Sequence, residues 1–161
     1  MKSLITSMLI LIAAVSVKAQ SDIKVYPTFD EFSKEILEPK DSNETYVINF
    51  WATWCRPCVQ ELPLFDSLGN QDSSLNIVLV SLDFGDSPVE RVKKLLNKKN
   101  ITQKTVLFTD GNTNKWIDLI DPNWSGAIPF TIIKKGDKTH FYEKQYHNLQ
   151  ELKTDIKKIQ Q

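Results

Sequence analysis

The sequence predicts an α/β fold in which a mixed central β-sheet carries helices on both faces. Two observations lead to this prediction. Apolar, β-branched runs alternate along the chain with segments that have helical caps and helical apolar spacing, and the last two strand-like runs precede a final helix. Alternation of this kind produces parallel strands covered by helices, whereas a terminal hairpin adds antiparallel strands. With 161 residues, the chain is long enough for one domain with a complete core.

The elements before the cysteines are predicted from caps and apolar runs. Residues 23–27 are predicted to form a short strand. Thr28 begins a helix because it forms a capping box with Glu31, and Pro39 ends that helix. Residues 45–51 form a continuous apolar run with β-branched members, which is typical of a strand buried on both faces.

The middle of the chain is predicted to contain two helices and one strand. The helix that begins at the cysteines is expected to extend to about Leu68, with Gly69 as its stop. Residues 75–84 form the next buried strand. Ser87 is expected to cap the following helix through a capping box, with Pro88 in the first helical position.

The last third is predicted to end in a hairpin and a helix. Residues 105–109 form a strand and residues 113–120 a short helix. Residues 130–135 and 139–143 flank a Gly-Asp turn and form the antiparallel hairpin. Asn148 caps the final helix, with an acid three residues later.

Composition excludes several classes of partner. The chain has 20 basic and 20 acidic side chains and a net charge of zero. No basic patch indicates a nucleic-acid partner, and no long like-charge block indicates a disordered tail.

The first residues are predicted to be a signal peptide. Lys2 precedes a mostly apolar stretch over residues 4–17, and Ala19 completes the pair of small residues that a signal peptidase recognises. We therefore expect a signal peptide at 1–19 and one mature domain at 20–161. An uncleaved membrane anchor is the alternative. Cleavage is favoured because the apolar stretch is shorter than the roughly 20 residues of a spanning helix. Export would place the protein in the periplasm or outside the cell, where disulfides persist.

The two cysteines, Cys55 and Cys58, are the only ones in the chain, and their spacing predicts a redox centre. Cys55 should lie at a helix start and Cys58 one turn later on the same face, so that their sulfurs can bond. The partial positive charge of the helix start lowers the pKa of a thiol there. Cys55 is therefore the expected nucleophile, and Cys58 resolves the mixed disulfide.

Two residues between the cysteines are expected to tune the dithiol. Pro57 fits the first turn, where a missing N–H costs nothing, and it stiffens the loop. Arg56 places a permanent charge beside the thiolate and should modestly favour the reduced, ionised form.

The sequence leaves other interpretations of the cysteine pair open. A zinc site needs four ligands, and only His140 and His147 are available besides the cysteines. Haem attachment needs a histidine where Val59 stands. A purely structural disulfide is the more serious alternative, although so short a loop stabilises little. No metal or cofactor is expected, and Asp83 and Asp110 are assigned turn or cap roles.

The residues around the cysteines resemble the thioredoxin superfamily, and in particular the exported TlpA/ResA-like thiol–disulfide oxidoreductases. The resemblance rests on Pro63, on the pair Ile128-Pro129 and on the motif Phe50-Trp51-Ala52-Thr53-Trp54-Cys55-Arg56-Pro57-Cys58. It implies a thioredoxin-like three-layer sandwich over residues 24–160.

The resemblance also assigns residues of a substrate groove. Pro129 matches the family's cis-proline, which faces the dithiol, and Ile128 matches the residue whose backbone binds a partner's peptide. An ordinary strand-start proline is the alternative for Pro129. Trp54 is expected to line the groove, whereas core packing and a contact role are about equally expected for Trp51.

Glu61 matches an acidic residue that ResA-like proteins carry three positions after the second cysteine. Helical spacing places Glu61 on the face of Cys58, where a partly buried carboxyl would move protons for the cysteines. A solvated helix glutamate is the alternative. Asn49 departs from thioredoxin itself, which has a buried aspartate at this position, and the departure leaves Glu61 as the only obvious nearby base.

The resemblance implies a reductase of protein disulfides in the cell envelope, supplied with electrons by a membrane donor. Reduction of apocytochrome c before haem attachment is one role that it implies. The alternatives are a disulfide oxidant or isomerase, with which Arg56 is compatible, a non-catalytic thioredoxin-like binding module and, more distantly, a peroxidase. The expected partners are proteins that carry disulfides or thiols, and the protein is expected to be a monomer.

Overall fold

The computed structural model describes residues 22–38 and 41–160. The predicted signal peptide, 1–19, and the proline expected to end the first helix lie outside the described residues. The described chain forms six strands and five α-helices, which are β1 Lys24–Tyr26, α1 Phe29–Phe32, β2 Thr45–Trp51, α2 Arg56–Gln71, β3 Leu75–Ser81, α3 Pro88–Lys99, β4 Lys104–Phe108, α4 Thr113–Ile120, β5 Phe130–Lys135, β6 Lys138–Tyr142 and α5 Leu149–Gln160.

The strands form one mixed sheet in the order β1-β4-β3-β2-β5-β6. The pairs β1–β4, β4–β3 and β3–β2 are parallel, whereas β2–β5 and β5–β6 are antiparallel. The predicted mixed sheet and terminal hairpin are thereby confirmed. Strand β2 lies between parallel β3 and antiparallel β5, so the cysteines follow the carboxyl end of a central strand.

Helices cover both faces of the sheet and form two apolar clusters. One cluster joins the sheet to α2, α3 and α5, and its members include Leu62, Leu96 and Ile156. The other joins the opposite face to α1 and α4, and its members include Phe32 and Trp116. The predicted three-layer arrangement is therefore present.

Alternation along β2 decides which residues face the dithiol helix. Val47 and Trp51 belong to the cluster that contains α2, whereas Ile48 and Phe50 belong to the opposite cluster. Successive side chains of a strand point to opposite faces. Asn49 therefore faces α2 even though it lies in a buried apolar strand.

One predicted helix boundary and one predicted helix cap were wrong. Helix α2 continues through Gly69 to Gln71, and the N–H of Asp72 closes it by donating to the Leu68 carbonyl at 3.0 Å. A Cβ at Gly69 would clash with the side chain of Gln103, so this glycine permits a close approach and is not a stop.

The expected cap of α3 is also absent. Ser87 has a left-handed backbone with φ of 49° and makes no side-chain capping bond. A capping side chain reaches the helix N–H groups from an extended backbone, as Thr28 does at the start of α1. Pro88 occupies the first helical position, as predicted.

The first helix changes type after one turn. The α-helical turn α1 continues directly into a π-helical segment, Ser33–Leu37. Phe32 lies just before this change of helix type and Ile36 just after it. Both are buried and belong to the same apolar cluster. Within the described residues, none of the helices combines the length and apolar character that crossing a bilayer requires.

We predict that Phe32→Ala destabilises the protein by about 3–5 kcal/mol, because truncation leaves a cavity at a core position. Phe32 is fully buried, stacks on Phe108 with ring centres 4.4 Å apart, and contacts Tyr26 and Phe50 edge-on. Urea unfolding monitored by circular dichroism measures the change.

Phe84→Ala is the matched control for Phe32→Ala, because the Phe84 side chain is 71% exposed. Its expected cost is below about 1 kcal/mol. Equal losses in the two variants would contradict the assignment of Phe32 to the core.

Candidate active site

The two cysteines form a disulfide at the start of α2. Cys55 is the N-cap residue of the helix, Cys58 lies in its first turn, and their Cα atoms are 5.3 Å apart. The Cys58 N–H donates to the Cys55 Sγ at 3.3 Å. Cys55 is 6% exposed and Cys58 is fully buried. These positions agree with the predicted helix start, and Cys55, the expected nucleophile, is the more exposed of the two cysteines.

A buried aspartate holds the turn that leads to the dithiol. The Thr53 N–H donates to Asp83 Oδ2 at 2.9 Å, and the Thr53 hydroxyl also donates to this carboxylate. Asp83 is fully buried and also accepts a bond from the Ser81 hydroxyl at 2.8 Å. The turn role predicted for Asp83 is therefore present, and Asp83 fixes the approach of the chain to Cys55.

The two tuning residues occupy the first positions of α2. Arg56 and Pro57 are the first and second helical residues; the arginine is exposed and the proline is half-buried. This geometry is compatible with the roles predicted for them.

Glu61 lies one turn after Cys58 and is buried. Its carboxyl is 1% exposed and is held by two donors from other parts of the fold. The Asn49 amide donates to Oε1 at 2.8 Å, and the Tyr146 backbone N–H donates to Oε2 at 2.7 Å. Thr131, which pairs with Asn49 across β2 and β5, accepts a second bond from the same amide at 3.1 Å. Glu61 is therefore not the solvated helix glutamate of the alternative interpretation.

Burial raises the pKa of Glu61 to about 7, because removal from water disfavours the charged carboxylate. The bonds from the Tyr146 N–H and the Asn49 amide oppose this rise, because both stabilise the ionised form. The balance leaves a carboxyl that can accept and release a proton near neutral pH, which is the range useful for general acid–base chemistry.

An apolar groove of about 360 Å³ begins beside the dithiol. Its lining includes Trp54, Phe84, Trp116, Ile117 and Ile128. Trp54 is 61% exposed and meets Phe84 edge-on, with ring centres 6.3 Å apart. The carbonyl oxygen of Ile128, which lines the groove, lies 3.7 Å from the Cys55 Sγ, the sulfur that is predicted to react.

Two of the three predicted groove residues line this groove. They are Trp54 and Ile128, whereas Pro129 is buried and does not contribute to the lining. The Ile128–Pro129 peptide bond is cis, as the resemblance implied. Trp51 is fully buried in the core, in line with the packing interpretation.

Sequence reasoning missed three contributors to the site. Phe84 had a signal, because it is a large apolar residue between Asp83 and Gly85 in the loop that follows β3. Asn49 was noted as a departure from thioredoxin, and its parity along β2 already pointed it toward α2. Tyr146 had no local signal, because its N–H reaches Glu61 across 85 positions of the chain.

The described residues contain no group of three or more histidine, cysteine, aspartate or glutamate side chains suited to a metal ion. The two cysteines, which would be the strongest zinc ligands, are bonded to each other.

Asp110 accepts bonds from the N–H groups of Phe29 at 2.9 Å and Asn112 at 2.8 Å, which is the turn role predicted for it.

Comparison with known sequences finds related proteins, two of which are named as thiol-disulfide oxidoreductases. A family model described as Thioredoxin matches residues 24–103. Sporulation thiol-disulfide oxidoreductase A of Bacillus subtilis is 28% identical over 108 residues, which is 65% of this chain and 61% of that protein. Thiol-disulfide oxidoreductase ResA of the same species is 26% identical over 95 residues, which is 59% of this chain and 52% of that protein. The matches thus span about half to three fifths of these relatives.

Solved structures share the fold. The thioredoxin-related protein from Neisseria meningitidis serogroup B has a TM-score of 0.63 at 21% identity, with 75% of this chain and 88% of that one covered. StoA from Bacillus subtilis has a TM-score of 0.52 at 21% identity, with coverage of 71% and 84%. At these identities the likeness shows a thioredoxin-like fold, as the resemblance implied.

We predict that Glu61 makes the stability of the oxidised protein fall with rising pH. The pKa of Glu61 is about 7 in the folded protein and about 4.5 in the unfolded chain. The folded state therefore binds the proton more tightly, and the stability that Glu61 contributes is complete below pH 4.5 and lost as the pH rises through about 7. The loss relative to Glu61→Gln should reach about 3 kcal/mol. Urea unfolding at a series of pH values measures it.

Glu90→Gln, at an exposed position of α3, controls for the change in net charge and should keep the wild-type inflection. Parallel pH profiles for the wild type and Glu61→Gln would contradict the raised pKa of Glu61.

Proposed function

Because this chain belongs to the thioredoxin superfamily, we propose that it is a thiol–disulfide oxidoreductase that reduces disulfides of other proteins in the cell envelope. The observation that carries the proposal is the Cys55–Cys58 disulfide at the start of α2, with the buried carboxyl of Glu61 one turn further along the same helix. A structural crosslink would need neither a titratable carboxyl behind it nor a groove beside it.

The exchange begins from the reduced dithiol. The Cys55 thiolate attacks one sulfur of the substrate disulfide, forms a mixed disulfide and releases the other substrate sulfur as a thiolate. The Cys58 thiolate then attacks the Cys55 sulfur, which re-forms the intramolecular disulfide and releases the second substrate sulfur. Two electrons pass from the protein to the substrate, and the two substrate thiolates take up protons.

Glu61 is proposed to accept the proton that Cys58 must lose before the second step. Cys58 is fully buried, so water has poor access to its thiol. A carboxyl with a pKa of about 7 on the same helix face can take that proton at neutral pH and return it later.

Arg56 and Pro57 are proposed to tune the dithiol, with the arginine favouring the thiolate through its charge and the proline stiffening the first turn. Trp54 and Ile128 are proposed to form the substrate contact beside Cys55, with the buried Pro129 directly after Ile128 in the chain. The position of the Ile128 carbonyl near the Cys55 sulfur supports this assignment.

The location and the partners are proposed from the sequence and the resemblance. The predicted signal peptide at 1–19 supports export of the domain at 20–161 to the periplasm or the cell exterior. The dithiol would then be reduced again by a membrane electron donor. Apocytochrome c is the substrate that the resemblance implies.

Net oxidation or isomerisation of disulfides is the second candidate activity. The exposed charge of Arg56 beside Cys55 favours it, because a stabilised thiolate makes a disulfide more oxidising. Recovery of scrambled ribonuclease without added reductant would identify this activity.

We predict that Cys58→Ser forms stable mixed disulfides through Cys55, because the resolving sulfur is absent. Non-reducing gel electrophoresis of envelope extracts followed by mass spectrometry detects them. Cys55→Ser is the matched control and should trap nothing. The absence of any adduct in Cys58→Ser would favour a non-catalytic binding module.

We predict that the Cys55–Cys58 pair transfers electrons to its substrates and therefore has a reducing potential. Titration of the pair against glutathione should give a midpoint potential nearer to about −270 mV than to about −120 mV, and a value near the latter would overturn the reductase assignment.

We predict that Trp54→Ala and Phe84→Ala each lower kcat/KM for a disulfide-bearing peptide by roughly 3–10-fold, because each removes an exposed aromatic contact. Reduction of hydroxyethyl disulfide, which is too small to occupy the groove, should stay unchanged. Leu119→Ala is the control, because this residue is 59% exposed on α4 and does not line the groove. Equal losses with both substrates would contradict a contact role.

A further inference from the structure

A buried aspartate with three partners is linked to Glu61 through Tyr146. Asp155 of α5 is 2% exposed. Its Oδ2 lies 2.6 Å from the Lys144 Nζ, and its Oδ1 accepts from the Lys158 Nζ at 2.6 Å. The Tyr146 hydroxyl also donates to Asp155 Oδ2, at 3.2 Å.

These bonds fix a short segment of backbone at both of its ends. Lys144 and Tyr146 flank Gln145, and both are tied to the same carboxylate of Asp155. Gln145 itself donates to the Gln60 side chain of α2 at 3.2 Å. The Tyr146 ring is fully packed and meets Phe65 of α2 edge-on, with ring centres 6.0 Å apart. Residues 144–146 are therefore held to α5 and to α2 at once.

The segment that is held in this way carries one of the two donors to Glu61. The Tyr146 N–H points at Glu61 Oε2 at 2.7 Å, so the hydroxyl and the amide of one residue join Asp155 to Glu61. A donor from the backbone cannot leave the carboxylate unless the whole segment moves. Hydrogen bonds to a charged acceptor are the stronger kind, so their geometry matters more.

Stability alone gives a weak reason for a buried charge at Asp155. Burial of an ionised aspartate costs desolvation energy even beside two partly exposed lysines, and well-packed apolar residues often stabilise a fold equally well or better. Asp155 does what an apolar residue could not do: it accepts bonds from both ends of the Lys144–Gln145–Tyr146 segment.

We propose that Tyr146 and Asp155 are positioning residues for Glu61: they hold the Tyr146 N–H at the Glu61 carboxylate and so set the pH range over which Glu61 exchanges its proton. The proposal rests on the proposed function for the use that is made of that proton, but the positioning itself does not depend on the exchange reaction.

The groups around Glu61 allow one direction of effect to be expected. Asn49 of β2 donates to the carboxylate, and Cys58 of α2 is bonded within the disulfide and does not titrate in the oxidised protein. Tyr142 of β6 and Asp155 of α5 lie behind Tyr146, and Lys144 and Lys158 balance the charge of Asp155. Loss of the Tyr146 anchor leaves the ionised carboxyl with a weakened donor and makes the protonated form more favourable.

The titration of Glu61 in the oxidised protein is the test, because it needs no substrate. Infrared difference spectroscopy follows the C=O band of the buried protonated carboxyl from acid to alkaline pH, and Glu61→Gln identifies the band. Tyr146→Phe should shift its midpoint upward by about half to one pH unit, since a loosened bond to a charged group accounts for a shift of that order. Asp155→Asn does not report this effect alone, because it also leaves the charges of Lys144 and Lys158 unbalanced, and positive charges lower the pKa of a nearby carboxyl.

Tyr142→Phe is the matched control, because it also removes one phenol hydroxyl from this region but makes no bond to Glu61 or Asp155. Its hydroxyl lies 3.4 Å from His140 Nδ1. The midpoint of the Glu61 titration in Tyr142→Phe should stay at the wild-type value. If Tyr146→Phe leaves the midpoint unchanged, the proposal is overturned, even when that variant melts at a lower temperature. A shifted midpoint in a protein that traps no partner would instead count against the proposed function.

Discussion

The burial of the Glu61 carboxyl is the constraint on which this site depends. A buried carboxyl without hydrogen bonds is costly, so its two oxygens must meet donors that the fold supplies. Those donors come from Asn49 of β2 and from the backbone of Tyr146, just before α5. The dithiol helix, the central sheet and the C-terminal helix must therefore all be in place before Glu61 acquires its raised pKa. Folding and the protonation of Glu61 are therefore linked through the groups that bury this side chain.

The position of the dithiol has a separate cause in the order of the strands. Parallel pairing of β2 with β3 brings the ends of both strands to one edge of the sheet, where Asp83 holds the turn before Cys55. Antiparallel pairing of β2 with β5 brings the start of β5 to the same edge, and with it Ile128. The sulfur that is predicted to react, its backbone neighbour and the mouth of the apolar groove thus meet because a hairpin follows four parallel strands.

The bounds predicted from the sequence were most accurate where one local signal was enough to define an element. The strand from Thr45 to Trp51 and the helix from Thr113 to Ile120 have the predicted bounds, because a long apolar run and a clear helical segment each carry their own evidence. Gly69 and Ser87 were misjudged because their surroundings decide their roles. The close side chain of Gln103 explains the glycine, and a left-handed backbone removes the expected cap at the serine. The cysteines and their helix were predictable, whereas the donors to Glu61 were only partly so.

The sequence by itself determined the redox pair, the helix that carries it and the mixed sheet, because spacing, caps and apolar periodicity act over a few neighbouring residues. Only the tertiary structure decided that Glu61 is buried and which groups hold it, since Tyr146 and Asp155 reach it through contacts between distant parts of the chain. It also decided that Phe84 and Trp116 complete a groove beside Cys55. The physical reason is that burial and hydrogen-bond partners are properties of the packed fold, to which segments far apart in the sequence contribute together.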